Sequence, residues 1–441
     1  MKSLIQKVII WKLVILSRLY LRRFRPEIIA VTGNVGKTST KEAIAAVLKN
    51  TGRIRASRGN LNNELGVPLT ILGDWSDEYY ESGNTAWFWI KVLFVGTFGL
   101  FFQKNYPKIL VLEYGADKPG DIKKLSRRFK PSIGIVTAVG KIPVHVEYFS
   151  DPDGVAREKS HLVSGLSASN YAILNQDDPA VSSMRSKTKA KVMTYGFGEG
   201  STVQVFGFDN HYEKGKLAGV SFKLHYGANS FIPVTIQGAL GRSQALSAAA
   251  AASVGIIKEM NLIEIADALS ENYNPPKGRL RLLEGIKNST IIDDTYNAAP
   301  ASTHLAVDIL KLLPLQEVQG KPARKIAVLG DMLELGKYTV QAHQEIGNLV
   351  GGQVDELVCV GLRAKFIADA AANQMPAEKI RVFATSLDAR SMVQEMIRAG
   401  DTILVKGSQG IRMEKIVEEI MAEPERKKEL LVRQGKKWLR K

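Results

Sequence analysis

Ile28-Ile29-Ala30-Val31-Thr32-Gly33-Asn34-Val35-Gly36-Lys37-Thr38-Ser39-Thr40 decides how this chain of 441 residues folds. Its first half is a β-branched apolar run, the pattern of a buried strand. Two glycines bracket a tight turn, and Lys41-Glu42-Ala43-Ile44-Ala45-Ala46-Val47-Leu48 continues in a helical pattern. Strand, glycine turn and helix together present bare backbone N–H groups and a helix N-terminus to a phosphate. The spacing is T-G-x-x-G-K-T, shorter than the full phosphate loop, because Val31 stands where that loop has its first glycine. Gly33, Asn34, Val35, Gly36, Lys37, Thr38 and Ser39 are expected to hold nucleotide phosphates. Lys37 would add a positive charge, and Thr38 a hydroxyl for Mg²⁺.

Composition sets outer limits. Hydrophobic residues make up 45% of the chain, which excludes a disordered protein. The length suits two or three domains. The single cysteine, Cys359, excludes an internal disulfide framework and lies in an apolar run, as a buried strand residue of a reducing compartment would. The net charge of +16 points to anionic partners. No nucleic-acid-binding motif accompanies that charge, so nucleic acid is not expected among them. The N-terminus is apolar and basic, but no small-residue cleavage site follows it.

The pattern predicts an α/β fold. A central parallel-sheet ATPase domain spans 28–275 and a smaller Rossmann-like α/β domain spans 276–422, between an N-terminal basic amphipathic helix (1–27) and a basic tail (423–441). Core strands are expected at 109–113 and 133–137, with others at 172–175 and 190–196, hairpins in 201–240 and a helix at 243–257. In the second domain strands are expected near 289–293, 325–329, 356–360, 380–383 and 402–405. The tail reads as a solvated charged face. Residues 2–25 carry Lys2, Lys7, Lys12, Arg18, Arg22, Arg23 and Arg25 along an apolar helix. That helix either lies on an anionic membrane or packs on the protein body. Residues 85–102 are apolar and aromatic, with one charge at Lys91. A membrane crossing there would separate the phosphate loop from the strand at 109–113, so a surface or interfacial helix is expected.

Glu113 follows four apolar residues at the C-terminal end of a core strand, an odd place for a solvated acid and a good one for a ligand carboxylate. Asp293-Asp294-Thr295-Tyr296-Asn297, with Pro300 after it, reads as a ligand loop at a strand end.

The short phosphate loop resembles that of the Mur ligases, ATP-dependent amide-bond ligases of peptidoglycan synthesis. Further segments carry the resemblance: Gly59-Asn60-Leu61-Asn62-Asn63, Leu112-Glu113-Tyr114-Gly115-Ala116, Gly278-Arg279-Leu280, Asp293-Asp294-Thr295-Tyr296-Asn297-Ala298, Leu329-Gly330-Asp331-Met332-Leu333-Glu334-Leu335-Gly336 and Lys406-Gly407-Ser408. The match is strongest to the branch that adds D-alanyl-D-alanine to a muramyl tripeptide. The family pattern is degraded where Ser243, Gln244 and Ser247 replace a His and two Asn, and Gln409 stands where the family usually has Arg.

The resemblance implies ATP and two Mg²⁺ ions as cofactors, with Thr38, Glu113, His145 and Lys159 serving metal and Lys159 carbamylated by CO₂. It assigns Lys37, His145, Lys159, Arg279 and Asp294 to catalysis, and Gln244, Arg279 and Asp294 to the nucleotide. Asn60, Tyr296, Asn297, Asp331, Glu334, Lys406 and Ser408 would face the substrates, a muramyl peptide and D-alanyl-D-alanine. The implied reaction passes through an acyl phosphate. The alternatives are a Mur-type ligase for another carboxylate and amine, or a nucleotide-binding partner without catalysis. Only 27 residues precede the first core strand, too few for the family's UDP-sugar-binding N-terminal domain, which the chain is therefore expected to lack. A cytoplasmic monomer is expected, with peripheral contact to the inner face of the membrane.

Overall fold

A computed structural model describes the chain except for residues 1, 60, 83–84, 141–145, 150, 228–229, 315–316, 319, 436–437 and 439–441. The decisive stretch forms strand β1 (Glu27–Thr32) and helix α2 (Lys37–Val47), preceded by helix α1 (Lys2–Phe24). Eight further strands complete the first sheet: β2 (Ile54–Ala56), β3 (Ile109–Glu113), β4 (Ile133–Val136), β5 (Tyr171–Asn175), β6 (Lys191–Gly196), β7 (Val203–Glu213), β8 (Lys216–Tyr226) and β9 (Ser230–Gln237). Their order is β2-β3-β1-β4-β5-β6-β7-β8-β9. Pairing is parallel from β2 to β7 and antiparallel through the β7–β8–β9 meander.

β1 lies between β3 and β4 and is buried on both faces, which explains its unbroken apolar run. Ile29 and Val31 face a core shared with α2 and the Ala-rich α9 (Arg242–Ile257). Ile28 and Ala30 face the opposite core, with α3 (Gly66–Leu72), α5 (Ala86–Phe102), α6 (Asp121–Arg128) and α1. The loop after β1 therefore runs to one side of the sheet and the loop after β3 to the other. A crevice opens where such neighbouring strands diverge, at their C-terminal ends.

The second sheet has the order β10-β11-β17-β14-β15-β16. Its strands are β10 (Arg281–Glu284), β11 (Thr290–Asp294), β14 (Lys325–Gly330), β15 (Glu356–Val360), β16 (Ile380–Phe383) and β17 (Thr402–Lys406); β12 (Glu317–Val318) and β13 (Lys321–Pro322) form a separate pair. All pairs in the larger sheet are parallel except β10 with β11. Cys359 is buried in β15. The resulting architecture is the α/β fold that the sequence predicts.

The tail departs from its expected solvated state. Leu430 and Leu431 are buried, and Arg433 pairs with the fully buried Glu414 at 2.8 Å. Arg412 pairs with the same carboxylate at 2.6 Å. Arg433 also donates to the carbonyls of Thr295 and Tyr296. The apolar run Leu430-Leu431-Val432 docks the segment, a signal that the surrounding charges hide. Replacing Glu414 with Ala would leave two partly buried guanidinium groups without their counter-ion. We expect a loss of about 3–5 kcal/mol of stability, read from urea denaturation.

Candidate functional site

The turn after β1 is shaped by close approach. Gly33 has φ +147°, and a Cβ there would fall 1.9 Å from Thr137 Oγ1. Thr137 Oγ1 in turn donates to Val35 O at 2.7 Å, and Asn34 N donates to Ala138 O at 2.6 Å. The turn is thus stitched to the end of β4. Gly36, at φ +88°, opens α2 without a side-chain cap, leaving the helix N-terminus to an outside anion. Lys37 folds back over the turn, and its Nζ donates to Gly33 O at 2.8 Å and Asn34 O at 3.3 Å.

Thr38, the next residue of α2, faces the end of β3. Its Oγ1 donates to Glu113 Oε2 at 3.0 Å and accepts from Arg279 Nη2 at 3.0 Å. Asn62 Nδ2 donates to Glu113 Oε1 at 3.1 Å. Burial alone would raise the pKa of Glu113, but Lys37, Lys41 and Arg279 outweigh it and hold the carboxylate below its ordinary range. Burial lowers the pKa of Lys37. Lys159, on α7 (Pro152–Ser164), is 2% exposed; burial and then the charge of Lys37 bring its pKa down to about 7. Near neutral pH a good fraction of this amine is uncharged and nucleophilic.

These groups line one cleft of about 800 Å³ between the two sheets. Asn34, Lys37, Asn62, Glu113 and Lys159 come from the first sheet's side; Arg279, Tyr296, Asn297, Glu334 and Ser408 come from the other. Arg279 stacks on the ring of Tyr296, 4.0 Å from its centroid. Across the phosphate turn lies a second, mainly apolar cavity of about 630 Å³, lined by Val35, Gly36, Tyr195, Leu246 and Leu305. Arg242 lies over Phe197 at its edge, 3.7 Å from the ring centroid.

Other residues named by the motifs are engaged within the protein. Gln244 bridges the Tyr273 hydroxyl (2.7 Å) and Arg279 O (3.2 Å). Asp294 accepts from Leu280 N at 3.2 Å and from Lys406 Nζ at 2.6 Å. Asp331 accepts from the backbone of Arg363 and Ala364, at 2.9 and 2.7 Å. Ser408 Oγ accepts from Leu333 N and also reaches Ala298 O. Ser39 lines a narrow space beside Gln244, Asp294 and Lys406. His145 and Asn60 lie outside the described residues. Sequence reasoning missed Asn62 as the partner of Glu113, although its Asn-rich segment stood out. It also missed Arg412 and Trp438 at the cleft wall, which carry no motif.

Fold and cleft together define a class: an α/β protein with a phosphate-binding turn on one sheet, facing loops from a second. Residues 31–78 and 97–254 match the Mur ligase middle domain, and residues 278–409 match the Mur ligase, glutamate ligase domain. The chain is 30% identical over 400 residues to the UDP-N-acetylmuramoyl-tripeptide–D-alanyl-D-alanine ligase of Mycobacterium leprae, covering 87% of this chain and 71% of that one. To the ligase of the same name from Bacillus subtilis it is 29% identical over 411 residues, 93% of this chain and 79% of the relative. A crystal structure of MurF from Acinetobacter baumannii superposes with a TM-score of 0.71 at 26% identity, covering 91% of this chain and 79% of that one. The chain belongs to the Mur ligase family, a family of ATP-dependent ligases.

The turn offers a sharp test. Gly33→Ala should cost about 1–3 kcal/mol in backbone strain alone. Because the new methyl also collides with Thr137, nucleotide affinity by calorimetry should fall with it. Thr137→Ala in the same chain removes the nearest contact, leaving Thr137 Cβ and Ala138 N at 3.1 and 3.2 Å from the new methyl, and should restore part of the binding.

Proposed function

We propose that this chain joins D-alanyl-D-alanine to a muramyl tripeptide at the expense of ATP, in the cytoplasm where ATP and such precursors meet. The observation that carries the reading is the convergence of Lys37, Glu113, Lys159 and Arg279 on one cleft whose other wall comes from the second sheet, with Thr38 bonded to both Glu113 and Arg279. In this reading the apolar cavity takes the adenine and the turn takes the phosphates. A donor carboxylate oxygen attacks the γ-phosphorus, the bond to the β-phosphate oxygen breaks, and ADP leaves. The free amine of the dipeptide then attacks the acyl carbon of the acyl phosphate, loses a proton, and phosphate departs as the amide forms.

Lys37 and Arg279 supply positive charge where phosphoryl oxygens gather charge in the transition state. The oxygen donors of Thr38 and Glu113, 3.0 Å apart, suit a hard cation. Among the described residues no three His, Cys, Asp or Glu groups gather at metal-binding distance. One Mg²⁺ would be held by Thr38, Glu113 and phosphate oxygens, and bound there it would neutralise phosphate charge. Carbamylated Lys159 would present a second anionic group to the same space. The lowered pKa supports that modification, because CO₂ reacts with the neutral amine.

A different amine acceptor is the second reading, favoured by Gln409 on the cleft wall where the family motif carries arginine. Phosphate release with a muramyl tripeptide and either D-alanyl-D-alanine or other amines decides between the two readings. Turnover with no donor–amine pair would overturn both. Lys37→Ala should lower kcat by at least about a hundredfold, the scale for losing one transition-state charge contact, with little change in thermal midpoint. Lys159→Ala should be inactive and partly rescued by short carboxylates; if full activity persists in CO₂-free buffer, carbamylation plays no part.

A further inference from the structure

Helices α1 and α5 are bound to each other on one side and bare on the other. Tyr20 OH donates to Gly96 O at 2.8 Å, and Arg23 Nη2 to Phe101 O at 3.2 Å. Leu13, Leu16 and Tyr20 of α1, with Phe88, Trp89 and Val92 of α5, are buried in the core beneath. Their outward faces are also apolar. Trp11 is 62% exposed, Trp87 72%, Phe94 65% and Phe102 69%. Phe94, Phe98 and Phe102 stack in a ladder along the surface, with ring centroids 5.4 and 5.2 Å apart. Leu4, Ile5, Val8, Ile15 and Leu19 continue the apolar face along α1. An exposed apolar face of this extent is an interaction surface.

Charge identifies its occupant. On a helical wheel Lys7 and Arg18 edge the exposed apolar stripe of α1 on one side and Lys12 and Arg23 lie toward the other, while Arg22 falls within the stripe at its C-terminal end. No acidic residue occurs before Glu27, and none occurs within α5. Tryptophan and aromatic anchors in an apolar stripe edged by cations match the boundary between acyl chains and anionic headgroups. No helix among the described residues is long and apolar enough to cross a membrane. We propose that α1 and α5 together form an in-plane docking platform for an anionic membrane surface. The proposal stands independently of the ligase reading. The segment carrying Asn62 and Asn63 into the cleft continues as α3, and α1 packs on α3, so platform and cleft share one layer of helices.

The test uses the full chain with vesicles of phosphatidylglycerol and phosphatidylcholine, against phosphatidylcholine alone. Co-sedimentation should be strong with the anionic vesicles at low salt and fade at high salt. Removing one basic residue should weaken partitioning about fivefold, as a lipid attraction of about 1 kcal/mol implies. Phe94→Glu/Phe98→Glu should abolish binding while the thermal midpoint stays near that of the unmodified chain, which certifies the fold. Emission from Trp11 and Trp87 should shift to the blue on binding. Failure of the unmodified chain to bind anionic vesicles at low salt overturns the proposal. So does a vesicle-free dimer that the same double substitution dissolves, which would make a second copy the occupant.

Discussion

The Thr38 hydroxyl joins the parts of this molecule. It gives its proton to Glu113 at the end of β3 and accepts from Arg279 at the entrance to the second sheet. One oxygen atom thus connects the phosphate turn, the neighbouring strand and the other domain. The bond to Glu113 requires β1 and β3 to end level, which their parallel register provides: Val31 pairs with Glu113. The contact with Arg279 requires the second sheet to sit over the first. A hydroxyl that donates to a carboxylate and accepts from a guanidinium is held from both sides and keeps one lone pair for a further partner.

Electrostatically the cleft is unbalanced. Lys37, Lys118, Lys159, Arg279 and Arg412 line it against the carboxylates of Glu113, Asp117 and Glu334. Concentrated positive charge opposes folding and attracts anions. Burial and then the nearby Lys37 disfavour the charged form of Lys159. Lys37 is eased by the carbonyls of Gly33 and Asn34, which stand in for phosphate oxygens. Sites of this kind trade stability for function, and a polyphosphate ligand would relieve the imbalance.

Most of the sheet architecture was legible because buried parallel strands leave continuous β-branched runs, as at Ile28–Val31, Ile109–Leu112 and Ile403–Val405. β2 escaped notice because Ile54-Arg55-Ala56 is short and only partly buried. β10 escaped because Arg281 and Glu284 make it look like linker. Motifs were less informative about atoms than about neighbourhoods. Asp331 belongs to a distinctive ligase segment, yet both its oxygens are engaged by the 361–364 turn. Lys406 reads as a cleft cation but is 2% exposed and bonded to Asp294. A sequence pattern records that a side chain is needed near a site; only its hydrogen-bond partners say whether it faces the ligand or holds another residue.

That distinction gives Asp294 and Gln244 a common task. Arg279 lies between Gly278, at φ +67°, and Leu280, at φ +51°, a conformation that a leucine adopts only when its surroundings impose it. Asp294 imposes it from one side by accepting from Leu280 N, and is itself held by Lys406. Gln244 acts from the other side by donating to Arg279 O, and is braced by the Tyr273 hydroxyl. Tyr296 supports the guanidinium from beneath. A flexible arginine at a domain junction would lose much of its reach to rotamer entropy. Held at its backbone on both sides and at its tip by Tyr296 and Thr38, it is confined to the one direction in which phosphoryl charge would develop. The glutamine that departs from the family pattern therefore has a place in this architecture: it fixes the backbone of the arginine.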